Sequence, residues 1–238
     1  MKLGVIGGLG PLATACFLEM VTKMTDASCD QEHLEMIIYS APGIPDRTAY
    51  ILGRSPDSPV KPMIEIGRKL AREQVSCIAV PCMTAHYFYR ELSEGIPVPI
   101  IHGVYETGME IQKNHIEKVG LMATDGTIRS RIFQDQLENM GLEVLLPDER
   151  RQKYVMDIIY QDVKAGRPVE EEKFREVSRQ LTDMGAQVIL LGCTELSLVK
   201  RQYSLGTDYL DAMEVLAQRS VVRCGKKLKK EYENLLAD

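Results

Sequence analysis

Two of the six cysteines stand at matching places in the chain. Ala79-Val80-Pro81-Cys82 and Leu190-Leu191-Gly192-Cys193 each close a short apolar run on a thiol, and a threonine follows each, Thr84 and Thr194. Such runs read as buried strands, and open parallel sheets bind ligands beyond the carboxyl ends of their strands. A helix starting there presents unpaired N–H groups and positive dipole charge, which lower a thiol pKa and favour the reactive thiolate. Taken singly, either cysteine reads as a small buried hydrophobe. Taken as a pair facing each other across a cleft, they suit one kind of chemistry. One thiolate removes a proton from a carbon centre, and the opposite thiol returns a proton to the other face, so that configuration inverts. The two must then differ in protonation state, which burial and dipoles can set. Glu195 has two readings: a group that orients or tunes Cys193, raising its pKa if the carboxylate is unpaired, or a favourable acid in a first helical turn. His86, four residues after Cys82, reads as a helix-face residue ahead of a partner in a Cys–His pair.

The elements that must position these thiols alternate. Leu3–Gly7 reads as a strand, Gly8-Leu9-Gly10 as a turn, and a helix starts near Pro11, whose fixed φ suits a first helical position. Strands follow at Glu35–Ser40 and Cys77–Pro81, with a shorter extended segment at Pro97–Ile101. Ala41–Pro62 holds five of the eleven prolines and reads as a long irregular loop of the kind that is often functional. Met63–Glu73 and Thr84–Leu92 read as helices. A second series has strands at Lys118–Ala123, Leu142–Leu146 and Val188–Leu191, and helices at Ile128–Met140, Val155–Lys164 and Val169–Met184. Thr194–Val199 starts a turn or helix, and Leu210–Leu235 reads mainly as one C-terminal helix.

Strands separated by helices of this length predict an α/β fold with parallel sheets. Leu3-Gly4-Val5-Ile6 and Val119-Gly120-Leu121-Met122 open the two series, and their spacing nearly equals that of the two cysteine motifs. The pattern predicts an internal duplication: two similar, pseudo-symmetric lobes, each an open mainly parallel sheet flanked by helices. The expected division is 1–102 plus 208–238 for the lobe with Cys82, and 103–207 for the lobe with Cys193.

Composition narrows the function classes. The chain has 238 residues, 45% hydrophobic and 26% charged, with 29 Lys+Arg against 34 Asp+Glu. That length buries a sizeable core, and the mild acidity argues against a general nucleic-acid binder. No run of 18 apolar residues exists, so no membrane span is expected. The cysteines show no zinc-ligand spacing, so no metal is expected and a reduced cytoplasmic protein with free thiols is. The apolar start of the chain holds Gly7, Gly8, Gly10 and Pro11 and reads as strand–turn–helix, not as a signal peptide.

The chain resembles the aspartate/glutamate racemase superfamily, closest to its aspartate racemase branch. The resemblance is carried by Gly7-Gly8-Leu9-Gly10-Pro11-Leu12-Ala13-Thr14, Pro45-Asp46-Arg47-Thr48, Pro81-Cys82-Met83-Thr84-Ala85-His86, Met122-Ala123-Thr124-Asp125-Gly126-Thr127 and Gly192-Cys193-Thr194-Glu195-Leu196. It implies an amino-acid racemase that uses no cofactor, neither metal nor pyridoxal phosphate, and is commonly a homodimer. Cys82 and Cys193 would be its acid/base residues. Thr84, Thr124, Thr127 and Thr194 would help hold the substrate's carboxylate and amine, Arg47 would grip a side-chain carboxylate, and Lys164 and Glu195 would stand nearby. The family usually has asparagine after the first cysteine, where this chain has Met83. Methionine offers only a weak sulfur acceptor, so the expectation is retained two-thiol chemistry with a shifted substrate preference.

Three rivals follow from the same residues. Gly8-Leu9-Gly10-Pro11-Leu12-Ala13 satisfies the GxGxxA pattern, but the acidic residue expected at the end of the second strand is missing, which disfavours a dinucleotide site. Hydantoin racemases, maleate isomerases and arylmalonate decarboxylases are related cysteine enzymes. A catalytically silent amino-acid-binding protein would share the two-lobed shape. The basic run Lys226-Lys227-Leu228-Lys229-Lys230 reads as the solvated end of the last helix.

Overall fold

A computed structural model describes residues 1–237. Through the first half run β1 (Lys2–Gly7), α1 (Pro11–Met24), β2 (Glu35–Ser40), α2 (Arg47–Ile51), α3 (Val60–Arg72), β3 (Cys77–Ala79), α4 (Tyr89–Gly95) and α5 (Gly103–Lys113). The second half holds β4 (Lys118–Met122), α6 (Asp125–Arg129), α7 (Ile132–Glu138), β5 (Glu143–Leu145), α8 (Glu149–Asp157), α9 (Glu171–Asp183), β6 (Val188–Leu191), α10 (Thr194–Gln202), β7 (Tyr209–Asp211) and α11 (Ala212–Arg223). The strands form two wholly parallel sheets, ordered β2-β1-β3 and β5-β4-β6-β7. Ile100 adds one parallel bridge to Ile78 at the edge of the first sheet. The expected α/β architecture, two parallel sheets flanked by helices, is therefore present. β1 answers to β4, β2 to β5 and β3 to β6.

The sequence explains these elements locally. Leu3, Val5 and Ile6 of β1 are fully buried, as are Leu190 and Leu191 of β6, which is why both strands read as unbroken apolar runs. α3 buries Met63, Ile66 and Leu70, and α9 buries Phe174, Val177 and Leu181, each one face at helical spacing. The turn after β1 requires a glycine. Gly8 sits at φ +85°, and a Cβ there would lie 2.3 Å from the backbone nitrogen of Ala41 at the end of β2.

The central core takes residues from both sheets: Leu3 and Val5 of β1, Val119 and Leu121 of β4, Phe17 and Val21 of α1, Ile111 of α5, Met213 and Leu216 of α11. Each sheet's other face has a core of its own. The sheets thus share a layer of helices, which fixes the carboxyl ends of β3 and β6 toward one another.

Several expected elements differ. The loop at Ala41–Pro62 contains α2, whose Asp46 accepts from Ala49 N at 2.7 Å as an N-cap, and the start of α3. Residues 128–140 split into α6 and α7, because Arg131 takes a left-handed φ of +57° between them. The helix expected at Thr84–Leu92 is a 3-10 turn, Met83–Phe88, followed by α4. The helix expected at Val155–Lys164 is the end of α8 and a π-turn, Ile158–Val163. The single C-terminal helix is instead β7, α11 and an irregular tail, since Gly225 at φ +71° ends α11. β7 pairs with β6, so residues 209–211 join the second sheet although they were expected to close the first lobe. The basic run lies beyond α11: Lys227 O accepts from Asp26 N at 2.9 Å, and Lys229 N donates to Met24 O at 2.9 Å.

Candidate active site

Cys82 follows β3 and begins the 3-10 turn at Met83; Cys193 follows β6 and is the N-cap of α10. The two equivalent strand ends deliver both thiols to one narrow cavity. They are 6% and 5% exposed, so water reaches neither freely. From the first half Leu9, Asp46, Arg47, Thr48, Met83 and Thr84 line the cavity; from the second, Thr124, Tyr160, Lys164, Thr194 and Glu195. Every site residue expected from the sequence thus borders it except Thr127, which stands behind it and shares a hydrogen bond with Thr84 at 3.0 Å.

The thiols have different neighbours. Cys193 Sγ donates to Glu195 Oε2 at 2.9 Å, and Lys164 Nζ lies 3.8 Å from Glu195 Oε1. Burial holds Cys193 well above the usual thiol range, and the Glu195 carboxylate adds to this; Lys164 opposes it. Cys193 therefore keeps its proton. Lys164 is held protonated: burial works against its charge, but Glu195, Cys193 and Tyr160 outweigh it. Cys82 instead lies beside the Arg47 guanidinium. There too burial disfavours the cation, and Cys82 and Asp46 outweigh it.

Arg47 is fixed before any ligand arrives. Three of its N–H groups donate to the carbonyls of Ile44 (3.2 Å), Pro45 (3.0 Å) and Leu9 (3.1 Å). Its buried Nε has no partner. The guanidinium has five N–H donors, and those left over face Cys82 and the cavity. The Leu9 bond gives the glycine-rich turn a role: its backbone holds this arginine.

The remaining wall is a cluster of hydroxyls. Thr124 Oγ1 lies 3.3 Å from Thr48 and from Thr84, and 3.1 Å from Thr127. A hydroxyl donates one proton and accepts two, so the cluster can rotate its protons toward an incoming carboxylate. Met83 borders this wall, but its side chain belongs to the central core, with Cε 3.3 Å from the Cβ position of Gly103.

His86 is not at the cavity. Its Nε2 lies 3.3 Å from Val80 O, and burial, with His102, pushes its pKa down to about 3, so the ring is neutral. Asp46, Thr48 and Tyr160 were not singled out from the sequence. The first two sit inside the Pro45–Thr48 motif; Tyr160 lies one turn before Lys164, whose Nζ is 4.3 Å from its ring centroid. Among the described residues no group of three or more His, Cys, Asp or Glu side chains could hold a metal ion.

Residues 6–219 match the family described as Asp/Glu/Hydantoin racemase. The chain belongs to that family. The broad specificity amino-acid racemase RacX of Bacillus subtilis (strain 168) is 29% identical over 225 residues, covering 92% of this chain and 96% of that one. A glutamate racemase of Aquifex aeolicus is 27% identical over 168 residues, 68% of this chain and 62% of that one. Among solved structures, the aspartate racemase of Picrophilus torridus superposes with a TM-score of 0.83 at 30% identity, over the whole of both chains. The glutamate racemase of Francisella tularensis, at 19% identity and a TM-score of 0.65, shares the fold over 100% of this chain and 83% of that one. This family member is thus an amino-acid racemase by family, an isomerase. No helix among its described residues is long and apolar enough to cross a membrane.

Proposed function

We propose that the protein racemises a free acidic amino acid, aspartate first and glutamate second, one of Cys82 and Cys193 removing the Cα proton and the other delivering a different proton to the opposite face. The observation that carries this is the pairing of two buried thiols in one cavity with opposite partners: Arg47 against Cys82, Glu195 against Cys193. In one direction Cys82, as thiolate, removes the Cα proton, and Cys193 delivers its S–H proton to the opposite face. In the reverse direction the roles exchange. Arg47 and Lys164 hold the two carboxylates and counter the charge that builds as the proton leaves. The threonine hydroxyls orient the α-carboxylate and ammonium. Acid and base are both supplied by the chain, so the reading needs no pyridoxal phosphate.

One observation favours a second reading, a wider amino-acid range. An open vestibule joins the cavity at Asp46, Arg47, Lys164 and Glu195, with Pro11, Leu12, Ile44, Val163 and Leu198 on its walls. An apolar side chain fits such walls, and RacX, a relative over nearly the whole chain, is named for broad specificity. A chiral assay of aspartate, glutamate and a panel of neutral amino acids separates the two. Activity confined to aspartate and glutamate supports the first, and comparable rates on neutral substrates support the second. Absence of racemisation with every amino acid refutes both.

The same reading takes residues 1–102 with 208–238 and residues 103–207 as the lobes that carry the two thiols, with β7 crossing that division to pair with β6. The resemblance supports a homodimer, and six free cysteines support a reducing cytoplasm.

A further inference from the structure

A second pair of cysteines lies outside the cavity, unused by the reaction. Cys77 opens β3, and Cys224 caps the end of α11, 147 positions later. Their sulfurs are 3.5 Å apart and share a hydrogen bond. Both are buried in the central core. The other non-catalytic cysteines lack such a neighbour: Cys16 accepts from Arg201 Nη1 at 2.6 Å, and Cys29 is exposed.

We propose that Cys77 and Cys224 are a reversible disulfide-forming site. It reacts with a small-molecule disulfide and ties the end of α11 to the strand that leads to Cys82. A disulfide needs about 2.0 Å between sulfurs, so the pair must close by roughly 1.5 Å, a side-chain movement between elements already packed together.

The two thiols are unequal. The bond from Cys77 lowers Cys224, burial opposes this, and the chain's N-terminal ammonium assists it. The same bond raises Cys77, and burial adds to it. Attack by Cys77 first gives the same disulfide, but Cys224, which caps the end of α11 beside the tail, is the first nucleophile. Its thiolate attacks one sulfur of the reagent and expels a thiolate, leaving a mixed disulfide. Cys77 then loses its proton and attacks the Cys224 sulfur, expelling the second thiolate. Two protein thiols are oxidised to one disulfide, and the reagent disulfide is reduced to two thiols; the two protons lost from the protein end on those thiols or in solvent.

Access comes from the chain end. α11 stops at Arg223, and beyond Gly225 the backbone is held by the bridge of Leu228 to Thr25 with its flanking hydrogen bonds, by Gln218 Nε2 to Tyr232 O and Lys113 Nζ to Glu233 O, both 2.7 Å, and by Leu228, Tyr232, Leu235 and Leu236 packed on the central core. Reagent reaches the pair only when this segment lifts, a local opening that leaves both sheets in place.

The test incubates the full-length protein with excess oxidised glutathione, alkylates the remaining thiols and maps peptides without reduction. The expected product is a Cys77–Cys224 linked peptide, two hydrogens lighter than its parts. Closing so long a loop should raise Tm on the order of 10 °C, and dithiothreitol should reverse both changes. Cys224→Ser and Cys77→Ala should each abolish the link and the Tm shift. A lasting glutathione adduct on Cys224 with no link, alkylation of both thiols in every molecule, or a different cysteine pairing would overturn the proposal. The wild-type map decides this even if a variant does not fold. It is also independent of racemase activity, since Cys82 and Cys193 are mapped separately.

Discussion

Cys193 keeps its proton because it is buried and because its hydrogen-bond acceptor is a carboxylate. Glu195→Gln removes the charge and leaves an acceptor. The prediction is that the pH–rate limb reporting Cys193 ionisation moves to lower pH, since the variant lacks the carboxylate that raises the thiol. A pH profile of kcat/KM in each direction measures it; an unmoved limb would separate Glu195 from the thiol. Met83 poses a different question. With its side chain in the central core, Met83→Asn brings an amide into apolar surroundings, costing about 1–3 kcal/mol unless the amide reaches the threonine wall. Urea denaturation should show that loss, and a chiral assay should show a change of substrate preference. The thiols and Glu195 were legible because strand ends and residue types sit next to each other in sequence. Arg47 and Lys164 were reached through resemblance. Tyr160 and Thr48 were missed because the π-turn and the five-residue helix that aim them leave no periodic signal.

The elements that matter most are short. α2 has five residues and holds Arg47 and Thr48 at the cavity through its Asp46 cap and through the carbonyls before it. Asp46→Ala should cost about 1 kcal/mol in stability, the usual loss for such a cap. It should cost more in KM than that loss suggests, because Arg47 loses its fixed base and Asp46 itself borders the cavity. Denaturation and steady-state kinetics on one preparation test this; an unchanged KM would contradict it. The turn after β1 is stiffer. Gly8→Ala places a Cβ 2.3 Å from Ala41 N and keeps a residue at φ +85°, so soluble, stable protein with normal activity would contradict the role given to that turn. Long buried strands were read correctly from apolar runs. Ala41–Pro62 was not, since five prolines hide a helix that a single cap nucleates, and the split between α6 and α7 depends on one left-handed residue, Arg131.

At the scale of the molecule, a shared helical layer lets two sheets present two thiols to one space. Asp211 lies within this joint: fully buried, it caps α11 and accepts from Ser197 of α10 at 2.8 Å. Burial, and after it Glu214, pushes its pKa up to about 7. The folded value then exceeds the unfolded one, so the native state binds this proton more tightly. The stabilisation is fully present below the unfolded pKa and is lost as pH rises through about 7. Asp211→Asn should flatten the fall in Tm across that window; an equal fall in both proteins would contradict this. The central claim is that the thiols work from opposite faces of one carbon. Proton NMR in D2O, early in conversion of L-aspartate and of D-aspartate, tests it most directly. Solvent deuterium should enter Cα of the newly formed enantiomer while the remaining substrate keeps its proton, and both Cys82→Ala and Cys193→Ala should end conversion. Equal deuteration of substrate and product from the first turnovers, or conversion that survives loss of either thiol, would contradict it.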